Sequence, residues 1–347
     1  MNMLSFSNHP VITCQSQNNL FFKKFKHKLF RFFLKLAQVH VDIAMSEHFR
    51  KLFPRPSHAR DIRFRTSFHN TVYDVMKARD WRESDDEKDW DIFWCDKEWI
   101  YETFDQIHLQ PHQKVNHFRN HYELTRKDLL VKNLKRAKRQ AEKDGNTEEF
   151  NRLAMFPNTY VLPLEYSIFV EEYKRIQSEK AKGEKCIWIM KPCGKAQGKG
   201  IFLVDRLSQI TDWKSETRFR PENPGVESYV CQRYITNPLL VGGKKFDLRI
   251  YVLVTSYQPL TIYMYRSGFA RFSHTRYAMD TAELTNMQMH LTNVAVQKHN
   301  ENYDDVQGGK WDLQKMKTHF VSKYGEEAVN NCFLGMTNIV VASCSAW

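Results

Sequence analysis

The residues best placed to do chemistry begin with Lys191, in the run WIMKPCGKAQGKGIFL at residues 188–203. An apolar stretch, CIWIM, ends at this lysine. A loop from Pro192 to Gln197 follows, then Gly198-Lys199-Gly200, and IFLV resumes the apolar pattern. Glycines let backbone N–H groups approach phosphate oxygens, and a lysine beside them neutralises the charge. The order of elements reads strand–loop–strand. The Walker A pattern needs its Lys to be followed by Ser or Thr and to open a helix; here Gly200 and Ile201 follow Lys199. The dinucleotide fingerprint also requires a helix after the loop. In a kinase glycine-rich loop the lysine comes later, on another strand, whereas Lys191 comes first. Two readings stay open: a phosphate-covering flap between antiparallel strands, or a β-hairpin with an exposed loop.

Further along, KFDLRIYVLV places Lys245, Asp247 and Arg249 at alternate positions. On a strand they share one face. Three charged groups beside an apolar run are costly unless something occupies them. A triphosphate with its metal would do so; exposure at the start of the strand is the other reading. HLTN adds Thr292 and Asn293, hydrogen-bonding side chains of the kind that hold a ribose or a phosphate.

The elements that must position these groups can be read coarsely. IRFRTSFHNTVYDVMKARDW predicts a strand and a short helix, and WDIFWCD a second strand. In NHYELTRKDLLVKNLKRAKRQAEK the spacing of Thr125 and Asp128 predicts a capping box. The following helix carries Lys127, Lys132, Lys135, Arg136, Lys138, Arg139 and Lys143, either a solvated face or a docking surface for an acidic partner. Tyr166, Phe169, Val170 and Tyr173 have the spacing of an amphipathic helix. A helix is expected near 207–214, then a polar loop over 215–226. ESYVCQRYI reads as a strand, and FDLRIYVLVTS as one continuous enough to be buried on both faces. PLTIYMYRSGFARFS predicts a hairpin turning at Ser267–Gly268, and HLTNVAVQK a short strand or turn. Glu326 and Glu327 lie in a helix-like run and are expected to face solvent.

Composition bounds the rest. The chain has 347 residues and a formal net charge of +12, and residues 1–60 alone carry ten Lys/Arg against Asp42 and Glu47. The body is mildly basic and the head strongly so, which favours an acidic protein partner, nucleic acid or an anionic surface. No nucleic-acid recognition module is visible. LFFKKFKHKLFRFFLKL is interrupted by lysines and falls short of the roughly 20 apolar residues a membrane span needs; it reads as a poorly ordered extension or a surface-lying basic helix. The seven cysteines form no C-x-x-C pair, which predicts a reducing compartment. His108/His112 and His117/His121 lack the further ligands of a zinc site.

KPCGKAQGKGIFL, QRYI, KFDLRIYVLV, GFARF and HLTNVAVQK together resemble the tubulin tyrosine ligase-like family, in the branch that holds tubulin polyglutamylases; NHFRNHYELTRKD is similar to that branch's N-domain motif. The resemblance runs from about Ile62 to about Gly335. It implies an α/β (α+β) ATP-grasp fold with the nucleotide between two antiparallel-rich sheets. The domains expected are 61–122, an N-terminal α/β domain; 123–235, a central ATP-grasp domain; and 236–347, a C-terminal one that ends early, after a basic extension over 1–60. The activity implied is ATP-dependent addition of free glutamate to glutamate side chains on tubulin tails, through an acylphosphate. Glycine as the added amino acid, or a catalytically impaired tubulin or microtubule binder, are the alternatives. Lys191, Lys245 and Arg249 are then the catalytic candidates. Gln197 and Gly198 belong to the closing flap. Gln232, Arg233, Tyr234 and Ile235 form the hinge beside adenine. Lys245, Phe246 and Asp247 line the nucleotide, with Thr292 and Asn293 near its ribose or phosphates. Arg271 and Lys310, with Gln197, hold the incoming glutamate. Mg2+ is implied as well, but the family's E-x-N metal motif is not found, so the chain as written is expected to be weakly active or inactive. The implied setting is the cytoplasm and cytoskeleton, at a cilium or basal body, with microtubules and possible polyglutamylase complex subunits as partners.

Overall fold

The computed structural model describes residues 61–179, 186–218, 227–279, 283–301, 303 and 309–346. The basic extension over 1–60, expected to be poorly ordered or to lie on a surface as a basic helix, is outside the described residues. The described residues form two compact units: one runs to His121 and includes Tyr251–Arg266, and the other holds Tyr122–Ile250 and the residues from Ser267 onward.

The first unit contains β1 (Arg63–Thr66), α1 (Thr71–Ala78), β2 (Arg82–Glu83), β3 (Ile92–Trp94), α2 (Lys97–Glu102) and β4 (Lys114–Val115). The strands form one parallel sheet in the order β2-β1-β3-β4. Asn70 starts α1 by accepting the Val72 N–H on its side chain, and Asp96 does the same for α2 through Trp99. Phe64, Met76, Trp81 and Ile92 close one core and Trp90, Phe93, Cys95 and Ile100 another.

The second unit begins with α3 (Tyr122–Thr125), α4 (Lys127–Lys143), α5 (Thr147–Leu153), β5 (Thr159–Leu162), α6 (Tyr166–Glu179), β6 (Trp188–Pro192), β7 (Phe202–Val204), α7 (Leu207–Arg218) and β8 (Tyr229–Arg233). It continues with β9 (Leu240–Val241), β10 (Lys244–Tyr257), β11 (Leu260–Phe272), α8 (Met287–His290), α9 (Val294–Gln297), β12 (Lys310–Asp312), α10 (Leu313–Tyr324) and α11 (Glu326–Ser345). The central sheet has the order β5-β8-β6-β7 and is antiparallel throughout. Alternation gives it two different faces. Trp188, Met190, Tyr229 and Cys231 pack with Phe169 of α6 and Ile210 of α7. The other face presents Ile187 and Ile189, which pack with Leu203, Tyr234, Leu284 and Leu291. Lys191 continues that second alternation. The other antiparallel sheet has the order β12-β11-β10-β9, and β10 and β11 extend beyond the unit through Tyr251–Arg266.

Several local expectations are corrected. β11 is one continuous strand, and the hairpin turns at Gln258–Pro259 between β10 and β11, not at Ser267–Gly268. Gly268 serves a different purpose: a Cβ there would sit 2.3 Å from the Arg249 carbonyl oxygen, so only glycine lets the neighbouring backbone come this close. β10 is not buried on both faces, since of its fourteen residues only Leu253 is fully buried. In the second unit, α10 and α11 cover one face of the sheet through Met316, Phe320 and Val329 packed with Ala270, Phe272, Phe246 and Leu248, and the opposite face carries the charges. The cap of α4 falls one residue later than the Thr125/Asp128 spacing predicted. Thr125 ends α3, Arg126 occupies the cap of α4 with no side-chain cap bond, and the Asp128 carboxylate accepts from the Arg126 guanidinium instead. HLTNVAVQK (290–298) forms no strand: α8 ends at His290, and the single turn α9 follows within it. Helix α7 runs on through Arg218, into the stretch read as a loop. Glu326 and Glu327 are exposed in the first turn of α11, as expected.

Candidate active site

The candidate groups converge within the second unit, between the Lys191 face of the central sheet and the charged face of β10. The β6–β7 connection is the antiparallel strand–loop–strand expected from sequence, with Trp188 paired to Val204 and Met190 to Phe202, and most of its loop is exposed. Gln197, Gly198 and Gly200 adopt left-handed backbone conformations, with φ of 61°, 84° and 70°. Gln197 is not a glycine, so its backbone there is held by context. A Cβ on Gly198 would lie 3.0 Å from Val296 Cγ2 and 3.4 Å from Asn293 Oδ1, which places the flap tip directly on the HLTN segment.

Lys191 donates to Gln232 Oε1 at 2.7 Å, and Gln232 in turn donates to Thr159 Oγ1 at 2.9 Å. Burial lowers the pKa of the Lys191 ammonium to about 8, with the charges of Lys245 and Lys127 pushing the same way and Asp247 opposing them. Lys245 donates to the Tyr234 hydroxyl and to the His290 carbonyl, both at 3.0 Å, and burial lowers its pKa as well. Asp247 accepts from the Thr292 hydroxyl at 2.6 Å and lies 3.5 Å from Arg249 Nη2. Arg249 Nε is buried with no hydrogen-bond partner among the described residues. Several cations are thus held near one another around a single acidic side chain, Asp247. An anion placed among them would relieve their mutual repulsion.

Arg271 and Lys310 are direct register partners across β11 and β12. They flank one aromatic ring: the Arg271 guanidinium carbon is 5.2 Å and the Lys310 ammonium 4.5 Å from the Phe269 centroid. Alternation separates them from Ala270 and Phe272 in the core and puts them on the charged face.

Two predicted positions, Arg233 and Phe246, turn their side chains elsewhere. The Arg233 guanidinium reaches Cys186 Sγ and lies 5.9 Å from the Trp188 ring, on the helix-covered face. Phe246 packs against Phe272 and Phe320. Ile235 is 59% exposed. The backbone of this segment is fixed all the same, because the N–H groups of Arg233 and Tyr234 donate to the carbonyls of Asn158 and Ile187.

Three other residues emerge only from the fold. Lys127, read from sequence as one cation of a helix face, donates to the carbonyls of Pro192 at 2.9 Å and Lys195 at 2.7 Å, tying the start of α4 to the flap. Its position inside the TRKD motif was the available signal. Gln297 accepts from the His274 N–H at 2.8 Å and donates to the Gln288 and Leu291 carbonyls, pinning the segment that carries Thr292 and Asn293. His290 precedes LTN directly and is 2% exposed. The remaining α4 cations divide: Lys135 pairs with Glu165 at 2.8 Å and Lys138 lies 4.6 Å from the Phe150 ring centroid, while Lys132, Arg136, Arg139 and Lys143 are exposed.

The chemistry of the set suits a polyanion. It does not by itself suit a metal: among the described residues no three His, Cys, Asp or Glu side chains gather to hold an ion. The two histidine pairs contribute none, and His117 Nε2 instead contacts the Cys95 carbonyl at 3.0 Å. Among the described residues no helix is long and apolar enough to cross a membrane.

Comparison with known proteins agrees with the resemblance seen in the motifs. The tubulin-tyrosine ligase family matches residues 105–346. A probable tubulin polyglutamylase of Bos taurus, TTLL9, is 44% identical over 311 residues, covering 81% of this chain and 66% of the relative. A probable alpha-tubulin polyglutamylase of Tetrahymena thermophila, Ttll1, is 43% identical over 301 residues, covering 82% of this chain and 71% of the relative. A tubulin polyglutamylase of Homo sapiens, TTLL5, is 38% identical over 215 residues, 60% of this chain and 15% of that much longer protein. The chain spans just under two thirds of the length of the Bos taurus relative. It belongs to the tubulin-tyrosine ligase family, on the branch of relatives named polyglutamylases.

Proposed function

We propose that this chain is an ATP-dependent ligase that joins glutamate to glutamate side chains on tubulin tails, with an ATP-grasp arrangement holding the nucleotide between the central sheet and β10. The observation that carries the reading is the cluster of Lys191, Lys245 and Lys127 around Asp247 and Thr292, under a glycine-bearing flap. The names of the relatives supply the amino acid and the protein substrate.

ATP, when bound, supplies the phosphoryl group that turns an unreactive acceptor carboxylate into an acylphosphate open to attack by an amine. Lys191 and Lys245 would neutralise phosphate oxygens, and Arg249, with a spare buried N–H, would meet the transferring group. Lys127 would hold the flap through its backbone carbonyls. Gln232 to Ile235 would border adenine, and Thr292 and Asn293 the ribose or phosphates. Arg271 and Lys310 would fix the carboxylates of the incoming glutamate, for which paired cations are well suited. The exposed cations of α4, Lys132, Arg136, Arg139 and Lys143, would attract the acidic tail. Among the described residues no three His, Cys, Asp or Glu side chains gather to hold Mg2+. The setting proposed is the microtubule cytoskeleton, including that of a cilium or basal body.

The test is incorporation of labelled glutamate into purified tubulin by the purified chain, with and without ATP. The expected result is at most weak ATP-dependent label on tubulin, since the described residues gather no metal-holding cluster, and Lys191→Met abolishes what there is. Label from glycine in place of glutamate would overturn the amino-acid assignment, robust turnover would overturn the expectation of weak activity, and tubulin binding with no incorporation of either amino acid would favour the catalytically impaired binder.

A further inference from the structure

Behind Lys245 lies a buried hydrogen-bond chain that direct contact with a nucleotide would not require. His290 Nε2 is 3.1 Å from the Glu283 carbonyl oxygen, and His290 Nδ1 is 3.0 Å from the Tyr234 hydroxyl. That hydroxyl is 3.0 Å from Lys245 Nζ, which also donates to the His290 backbone carbonyl at 3.0 Å. The proton positions follow from the partners. A carbonyl can only accept, so Nε2 carries the hydrogen and Nδ1 is a bare lone pair. Nδ1 then accepts the Tyr234 proton. The phenol oxygen is left with its lone pairs towards an ammonium that can only donate. Within this chain each bond has one allowed direction while His290 is neutral; the Tyr277 hydroxyl, which also meets that of Tyr234, is committed as a donor to the Thr236 carbonyl.

We propose that His290 is a positioning residue for Lys245. Held as the Nε2–H tautomer, it orients the Tyr234 hydroxyl to accept from the Lys245 ammonium, and its own carbonyl takes a second ammonium proton, leaving the third N–H to reach a nucleotide. The inference rests on the nucleotide reading of this site only in that last clause; the chain itself stands on the geometry.

The surroundings of His290 favour the neutral ring. The ring of Tyr277 meets it edge-on at 5.8 Å, with the Tyr277 hydroxyl donating to the Thr236 carbonyl. Tyr234 meets it at 5.6 Å. The Glu283 carboxylate, the acidic group nearby, accepts from Asn286 Nδ2 at 3.0 Å. Lys245 supplies the neighbouring positive charge. Burial pushes the imidazole below its ordinary pKa, and Lys245 adds to this while Glu283 opposes it. Protonating Nδ1 would set a donor against the Tyr234 hydroxyl and reverse that one bond, while the Lys245 ammonium, which can only donate, would still point at the same oxygen.

The experiment uses the full chain, labelled with 15N at histidine and lysine. Long-range proton–nitrogen spectra should give His290 the Nε2–H pattern, and Tyr234→Phe should shift the Lys245 ammonium signal. ATP binding by titration calorimetry should weaken about tenfold or more in Tyr234→Phe and in His290→Leu, as expected for a lost hydrogen bond to a charged group. His290→Asn keeps an acceptor near the Nδ1 position and should restore most of the affinity, which a space-filling role would not predict. Thermal melts establish that each variant is folded; if His290→Leu is not, Tyr234→Phe and the spectra decide. An Nδ1–H tautomer, or wild-type affinity in a folded His290→Leu or Tyr234→Phe, overturns the proposal. A wild-type chain that binds no ATP refutes the nucleotide reading instead, and the tautomer and the Lys245 signal then decide whether the chain of bonds exists.

Discussion

Lys191 should make nucleotide binding take up a proton. Its pKa in the ligand-free protein falls from 10.5 to about 8 through burial and the nearby charges of Lys245 and Lys127. That displacement corresponds to about 3 kcal/mol against the charged form. The ligand-free ammonium is therefore about half deprotonated near pH 8, and a polyphosphate placed beside it restores the charge. If the bound value returns to the ordinary lysine range, binding takes up about 0.1 proton near pH 7, about 0.5 near pH 8 and about 0.9 near pH 9. Lys245, lowered in the same direction, adds to the uptake. The sign is fixed: a depressed lysine pKa means that the unfolded chain holds more protons between about pH 8 and 10.5, so the ligand-free protein gains stability from this group as pH rises through that window. Titration calorimetry of ATP in two buffers of different ionisation enthalpy reads the uptake directly. Lys191→Arg, which stays charged, should remove most of it. A binding heat that is independent of buffer from about pH 7 to about pH 9, or an uptake unchanged in Lys191→Arg, would refute the reasoning.

Two further substitutions test the scaffold. Gly268→Ala puts a methyl 2.3 Å from the Arg249 carbonyl and should cost about 1–3 kcal/mol, read as a fall in melting temperature of several degrees. Lys127→Met removes two bonds to the flap carbonyls of Pro192 and Lys195. It should weaken ATP binding about tenfold, by calorimetry, with little change in melting temperature, because charge-assisted bonds made by a half-buried group fix the flap more than the core.

Much of the candidate site was legible because its residue types are carried by local spacing. Lys191 at a strand end, glycines one residue apart and the alternation of Lys245, Asp247 and Arg249 are all short-range patterns, and strand periodicity turns such a pattern directly into a shared face. The flap between antiparallel strands followed from apolar runs on both sides of the loop. Where the structure departs from the local signal, a long-range contact overrides it. Gly268 looked like a turn because glycine usually marks one; it is needed where another strand's carbonyl comes within reach. Arg233 and Phe246 belong to motifs whose alternate members face the site, and they face the opposite side for the same periodic reason.

The sequence by itself determined which residue types were available and, through alternation, which of them share a face: a lysine-rich, phosphate-suited set joined to a family pattern. Only the tertiary structure decided which distant segments meet. Lys127 leaves a helix surface to hold carbonyls 65 and 68 residues away. Thr292 closes on Asp247, and His290 meets Tyr234 and, through it, Lys245. No local propensity encodes those pairings, because each is set by the packing of sheets and short helices that bring the chain back on itself. Burial then turned ordinary lysines into groups that favour an anion beside them.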